Sequence, residues 1–577
     1  MTQDALNLEQ FNETTLQNLL TQLSKIYSSN NLLILDPILS PYLNNLTQFS
    51  KLKQAGKFQN IVWLNQAILS IESNVFSKYS SLIVIIPGTF SSENLSLLGK
   101  FVSTIHGLKV NIIVQDLSKS LLYQINSLFD GIVSFNNILE NSFDKPITVT
   151  TGIKVYNWVT CPIYTGDEIL ICDITEFSGL DQYFTNPLVQ VNQLTKSLIE
   201  LMFHNKSVGK FLKLKNVYGK GNHSDLLIKQ LLDVKIPEYL SENLTKLETE
   251  FYDSKFHSNA NLIVLERNID FIPVLFNQLN YHGIIDDLFD IKFDTIEDQE
   301  KSQTLAQDEL YSDLKHLNFS NIGARLNKLA KFIQQQYKST SPDDNLQDMK
   351  QLVSKLGSLT LQQDLIKKHT IIGENILNKM NNEYQEFLEF QNDLFEMDYK
   401  LQLSKLKYFF NCNFPVNFLW SSILLIGIIN DGISSKDLPW IGQELQDNYG
   451  LSAVLSLEEL IKYKLLRIIQ ESSSDFLSNL GLKRPNWDNL GLSTMFSGKT
   501  LDINLDDHSD DKTASQTGNI IPNPEYIIIV LIGGITRSEI TCFKYLQEKL
   551  DKNKQIIVLT NGIVNNTKLF KFINKTS

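Results

Sequence analysis

Basic residues are in deficit in this 577-residue chain: 52 Lys and Arg stand against 64 Asp and Glu, a formal net charge of -12. Binding to phosphate backbones needs Lys and Arg in excess, so this balance argues against nucleic acid as the main partner. It also gives no electrostatic attraction to anionic lipid. Cysteine is scarce. Cys161, Cys172, Cys412 and Cys542 are scattered and too few for a disulfide scaffold, which points to a reducing compartment. Long apolar runs are missing as well. The strongest are SLIVIIPG (81–88), SSILLIGII (421–429) and YIIIVLIGG (526–534). All fall short of the roughly 20 residues that cross a bilayer, so no direct membrane insertion is expected. The opening MTQDALNLEQ has neither a basic start nor an apolar core and does not read as a signal peptide.

The signatures of catalysis and of nucleotide binding are absent too. The eight histidines form no H-E-x-x-H and no local pairing with cysteine, and no G-x-S-x-G occurs, so neither enzyme activity nor a metal is expected. Gly533-Gly534 follows an apolar run and precedes a helical pattern, which is the outline of a phosphate-binding loop. A P-loop, however, needs a Lys-Ser/Thr pair after its last glycine, and here Ile535, Thr536 and Arg537 follow. Thr536-Arg537-Ser538-Glu539 reads instead as a capping box, with Thr536 and Glu539 serving the helix's orphan donors. Ser497-Gly498-Lys499-Thr500 is a nearer miss, but the earlier glycine's place is taken by Ser493 and no strand leads in. No cofactor is expected.

What is present is an alternation of short apolar runs and helical patterns. NLLILD (31–36), NIVWLN (60–65), SLIVIIPG (81–88), KVNIIVQD (109–116) and DGIVSF (130–135) read as buried strands spaced as in βαβ units. Residues 1–135 are therefore expected to form a first α/β domain with a parallel sheet. IKVYNWV (153–159), EILICD (168–173) and NLIVLERNID (261–270) open a second strand set. From about 273 to 480 helical periodicity dominates and no clear strand shows. DINLDDHSDDKTASQTGN (502–519) is acidic and free of aromatics, as in a disordered loop. The strand–helix–strand pattern after it is too small to stand alone. The expected organisation is a split second α/β domain (136–270 plus 518–577) with a helical third domain (271–517) inserted into it. In Glu266-Arg267-Asn268-Ile269-Asp270, charges follow directly on a buried strand and need partners. Glu266, Arg267 and Asp270 are expected to form a structural ion-pair knot, with Gly533, Gly534, Thr536 and Glu539 as a structural turn and cap.

Several stretches together resemble the SM (Sec/Munc-type) family. They are LILDP (33–37) with FSKLK (49–53), LIVLERNID (262–270) beside the family's L-I-V-L-D-R-x-x-D, and GGIT…EI (533–540) beside its G-G-x-T-x-x-E-I. LNFSNIG (317–323) and the stretch from Leu359 to Gly373 resemble the vacuolar protein sorting thirty-three branch, with its L-N-F-x-x-V-G and K-S-L-x-x-H-T-x-I. Glu266 stands where the family usually has Asp, and Phe271-Ile272-Pro273 replaces Leu-Thr-Pro. The resemblance implies an α/β plus α fold, an arch of three domains with the second split by the third. It implies a protein that is no enzyme and that binds SNARE helices to promote their correct assembly. It implies a subunit of HOPS and CORVET tethering complexes, peripheral on vacuole and late-endosome membranes and held by the subunit vacuolar protein sorting sixteen. The rival readings are a nucleotide-binding switch and a pure scaffold.

A SNARE motif alone cannot hide its apolar seam and is disordered, but a rigid groove beside a helical hairpin can order it as a helix. That hairpin is expected over 305–340, where Leu310/Leu314/Leu317 and Leu326/Leu329/Ile333 make two stripes around Asn318-Phe319. The candidate SNARE-binding residues are Leu314, Lys315, Leu317, Phe319, Arg325, Lys328, Lys331 and Phe332. Their charge suits the acidic edges of SNARE motifs.

Overall fold

The computed structural model describes residues 6–28, 30–105, 107–172, 180–204, 211–255, 258–289, 291–297, 302–305, 308–338, 346–469, 498–505, 525–551 and 553–576. The chain divides into two compact units, Gln3–Glu176 with Lys292–Asp294, and Phe177–Ile291 with Thr295–Ser577.

The first unit is built on six strands in the order Phe58–Trp63, Asn31–Leu35, Ser81–Ile86, Lys109–Gln115, Ile153–Trp158, Ile147–Thr150. All neighbours run parallel except the last pair. Successive side chains of a strand point to opposite faces. The apolar runs therefore feed two cores at once. Leu32, Ile34, Leu82, Val84, Val110 and Ile112 join one, with Leu98 and Phe101 of the helix Ser92–Thr104 and Leu122 and Ile125 of the helix Lys119–Leu128. Leu33, Leu35, Ile83, Ile85 and Ile113 join the other, with Leu19 and Leu23 of the helix Glu9–Ser24.

Two expectations change here. Ile153–Trp158 does not open a second domain but pairs with Lys109–Gln115, Val110 opposite Ile153, so the first sheet extends past the expected boundary at 135. DGIVSF (130–135) is no strand: Ser134 caps the short helix Phe135–Glu140, accepting from the Asn137 N–H. A serine side chain offers the backbone this alternative bond, and that outweighs the apolar pair.

In the second unit five strands lie in the order Thr500–Asn504, Leu214–Lys220, Ala260–Glu266, Glu525–Ile532, Lys554–Thr560. Ala260–Glu266 pairs in parallel register with Glu525–Ile532, from Ala260 opposite Tyr526 to Glu266 opposite Ile532. The long stretch between these neighbours leaves the sheet and returns to it. Thr500–Asn504 runs antiparallel to Leu214–Lys220. Residues 502–504 are therefore sheet rather than loop, while 506–519 lie outside the described residues. Leu501 and Ile503 alternate with more exposed neighbours, the period-2 signal of an edge strand that the surrounding acidic composition hides.

The stretch after 266 is mainly helical, but it is not free of strands. Thr295–Glu297 pairs with Ser302–Thr304, and Ile433–Ser434 with Ile468–Ile469. Val416–Ile429 is apolar on nearly every side, and its middle, Leu419 to Gly427, is buried. Ile322–Lys338 and Leu346–Lys379 form the helical hairpin. Ile322 and Leu326 share a core with Ile372 and Ile376, while the Tyr337 hydroxyl meets that of Thr360 at 3.2 Å, so the two helices run in opposite directions. The expected pairing of 310–317 with 326–333 is corrected accordingly. Glu309–Leu314 is a single short helix, and the partner of Ile322–Lys338 is the helix beyond residue 345.

Candidate functional site

Two places collect the candidate residues, both in the second unit. The first is where Glu266 ends its strand. Arg267 is 4% exposed and forks onto Glu539, Nη1 to Oε1 at 2.9 Å and Nη2 to Oε2 at 2.9 Å. Nε and Nη2 also donate to the Gly534 carbonyl, and Nη1 to that of Asp270. Gly533 and Gly534 hold φ at 98° and 96°, a region that suits glycine, and a Cβ on Gly533 would lie 2.7 Å from the Arg267 Cβ. Thr536 and Glu539 form a complete capping box on the helix Arg537–Lys549. Burial alone would raise the Glu539 carboxyl, but the charge and hydrogen bonds of Arg267, with the Thr536 donors, outweigh it and hold the pKa low.

The partners differ from a simple local knot. The Asp270 carboxylate accepts from the Ile272 N–H and does not touch Arg267. Glu266 turns to the Tyr183 hydroxyl and to the ring and N–H of His223, residues that nothing in the local pattern announced. The loop at Gly533-Gly534 thus wraps a guanidinium, opposite in sign to a phosphate. At the other near-motif, Lys499 is bound to Asp225 at 2.9 Å.

The second place is the hairpin. On Ile322–Lys338, Ile322, Leu326 and Ile333 face the core, while Arg325, Lys328, Lys331 and Phe332 lie exposed on the adjoining stripe. Among the described residues none of these three cations is ion-paired. Phe332 is 53% exposed. The other predicted contacts do not join them. Leu314 is wholly buried, Leu317 and Phe319 pack half-buried against its cluster, and Phe319 stacks on Tyr281 with centroids 6.3 Å apart. Lys315 is half-exposed in the turn that follows Leu314. The partner helix instead exposes Leu361 (63%), Ile371 and Leu377 (60%), none of which is among the predicted contacts.

The first unit carries an open cleft of about 340 Å³, lined by the loop 88–91 and by Ser118, Ser120, Leu121 and Gln124. It holds no titratable side chain. Among the described residues no group of His, Cys, Asp and Glu is placed to hold a metal, and no helix is long and apolar enough to cross a membrane.

Residues 31–498 and 488–572 match the Sec1 family. The chain belongs to that family. Sec1-family membership makes it a non-enzymatic protein. Among Sec1-family relatives, vacuolar protein sorting-associated protein 33 of Saccharomyces cerevisiae is 24% identical over 497 residues, covering 79% of this chain and 69% of that protein. Its namesake in Schizosaccharomyces pombe is 23% identical over 440 residues, covering 66% and 72%. The fold is similar to that of the SM protein Vps45 in complex with the Qa SNARE Tlg2, with a TM-score of 0.60 at 14% identity over 99% of this chain and 98% of that one. It is also similar to the Unc18–syntaxin 1 complex from Monosiga brevicollis, with a TM-score of 0.55 at 12% identity over 99% of each chain. At such identities the structural likeness is one of fold.

Proposed function

We propose that this Sec1-family chain is a SNARE-binding template for vacuolar and late-endosomal membrane fusion. In this reading it works as a peripheral subunit of a HOPS- or CORVET-type tether, held there by a vacuolar protein sorting sixteen subunit. Two of the structural relatives are complexes with SNAREs, Tlg2 and syntaxin 1, and the curated relatives carry the vacuolar protein sorting-associated 33 name.

The observation that carries the reading is the exposed stripe Arg325–Lys328–Lys331 beside Phe332. It is cationic in a chain of net charge -12, and it lies on a two-helix hairpin. An amphipathic segment laid along that hairpin would order as a helix, its apolar anchors against Phe332 and its acidic edge along the cations. Two segments held in register would meet at raised effective concentration, and no bond need be made or broken. A nucleotide switch finds no support at Gly533-Gly534, which Arg267 fills.

The test is titration of labelled SNARE-motif peptides into the protein and into an Arg325→Glu/Lys328→Glu variant. The variant should lose about 1 to 3 kcal/mol of binding while its melting curve and its co-purification with the tether subunit stay normal. Unchanged binding at low salt would place the surface elsewhere. No SNARE binding by the wild type would leave the scaffold reading.

A further inference from the structure

The root of the hairpin hides a carboxylate between two elements. Asp308 is 3% exposed at its side chain. Its Oδ1 accepts from the Tyr311 N–H at 3.0 Å, capping the helix Glu309–Leu314. Its Oδ2 accepts from Lys368 Nζ at 2.7 Å and lies 3.3 Å from His369 Nε2, both on the hairpin's long helix. Lys368 also donates to the Thr304 carbonyl at 2.8 Å. The His369 ring is wholly buried. Its Nδ1 lies 2.9 Å from the Tyr281 hydroxyl, and its plane is within 4° of the Tyr311 ring at 6.1 Å. One carboxylate thus ties the segment leading into Glu309–Leu314 to the long helix.

The surroundings make a further positive charge costly. His282 meets Tyr311 in an edge-to-face contact, at 5.4 Å between centroids. The titratable groups around His282 are Arg537, Lys315, His316 and Lys568, and His316 in turn meets the Thr541 hydroxyl at 2.9 Å. Around His369 the charged groups are Asp308 and Lys368. Burial lowers the His369 pKa, and Lys368 adds to this, against the pull of Asp308. In the neutral ring Nδ1 accepts from the Tyr281 O–H, and Nε2–H faces Asp308. A second proton goes to Nδ1. The Tyr281 oxygen must then accept, its own O–H loses its partner, and a charge appears in the core.

We propose that Asp308, Lys368 and His369 form a proton-sensitive clasp that roots the hairpin, closed when His369 is neutral and released when it is protonated. The sign follows from the lowered pKa. The clasp contributes its stability above the ordinary histidine value, near 6.5, and loses it as pH falls through the folded value. The clasp is a property of this chain alone and requires no SNARE, so it stands or falls separately from the proposed function.

Hydrogen exchange read by mass spectrometry on the full chain tests it, at about pH 7.5 and about pH 5.5, with intrinsic rates corrected. Peptides covering 302–314 and 362–379 should exchange at least about tenfold faster at the lower pH, while those covering strand 81–86 keep their protection. His369→Gln should abolish the pH dependence. Asp308→Asn, which retains a capping side chain but removes the charge that pulls the His369 pKa up, should move the release to lower pH. Equal protection at both pH values would overturn the clasp. So would simultaneous loss in strand 81–86, a pH response that survives His369→Gln, or an unmoved midpoint in Asp308→Asn.

Discussion

Arg267 makes five hydrogen bonds inside the fold, two of them to one carboxylate and two to one carbonyl. Removing one member of a buried pair strands the other, which costs far more than the pair contributes net. Arg267→Met should therefore destabilise by about 3 to 5 kcal/mol in urea unfolding. Glu539→Gln should cost less, about 1 to 2 kcal/mol, because Gln can still close the capping box. Calorimetry with Mg-ATP should show no saturable heat, since the turn that resembles a phosphate loop is wrapped around a cation. The neighbouring pair is pH-dependent in a definite window. The hydrogen bond to Glu266 raises the His223 pKa against its partial burial, so this contribution is complete below about 6.5 and is lost as pH rises through the folded value. Burial pushes Glu266 up, but the bonds from His223 and Tyr183 win and hold it low, so its contribution is lost as pH falls below the ordinary carboxylate range. Melting temperature plotted against pH should pass through a maximum between these limits. His223→Gln should flatten the alkaline side, and an unchanged alkaline side would show that the pair carries no linkage.

At the scale of elements, the strands with continuous apolar runs were legible, since burial on both faces demands such runs. Asn31–Leu35 and Ser81–Ile86 are of this kind. Leu214–Lys220 and Thr500–Asn504 were not legible, because half their side chains are polar and their neighbours along the chain are turn-like or acidic. The edge strand has a direct test. Leu501 packs near the backbone of Gly219, and Leu501→Asp should lower the melting temperature by several degrees, about 1 to 3 kcal/mol for a half-buried site. Were residues 502–519 a loop throughout, the same change would leave it unmoved. In the hairpin, the basic stripe on Ile322–Lys338 was readable because charges recur at i, i+3 and i+6. Its partner helix was misassigned. Helical spacing says which residues share a face, but not which distant helix covers that face.

At the scale of the whole molecule, the acidic surface and the local basic stripe make one further expectation. An acidic SNARE segment should be repelled by the body and drawn to the hairpin, so its affinity should fall steeply as salt is raised and the stripe is screened. In Arg325→Glu/Lys328→Glu that salt dependence should shrink or reverse, and an unaltered dependence would detach the stripe from binding. Composition alone settled the charge sign and the lack of a long apolar run, because these are sums and lengths that no folding can alter. Apolar runs and cap residues determined most elements, because burial and hydrogen-bond satisfaction act locally along the chain. Only the tertiary structure decided that Ile153–Trp158 joins the first sheet and that Glu266 pairs with His223 rather than Arg267. It also decided that Asp308 meets Lys368 and His369, and that Leu314 is core while Leu361 and Leu377 are surface. Each of these depends on which remote segment arrives to cover a face or neutralise a charge, and that is fixed by packing across long sequence separations.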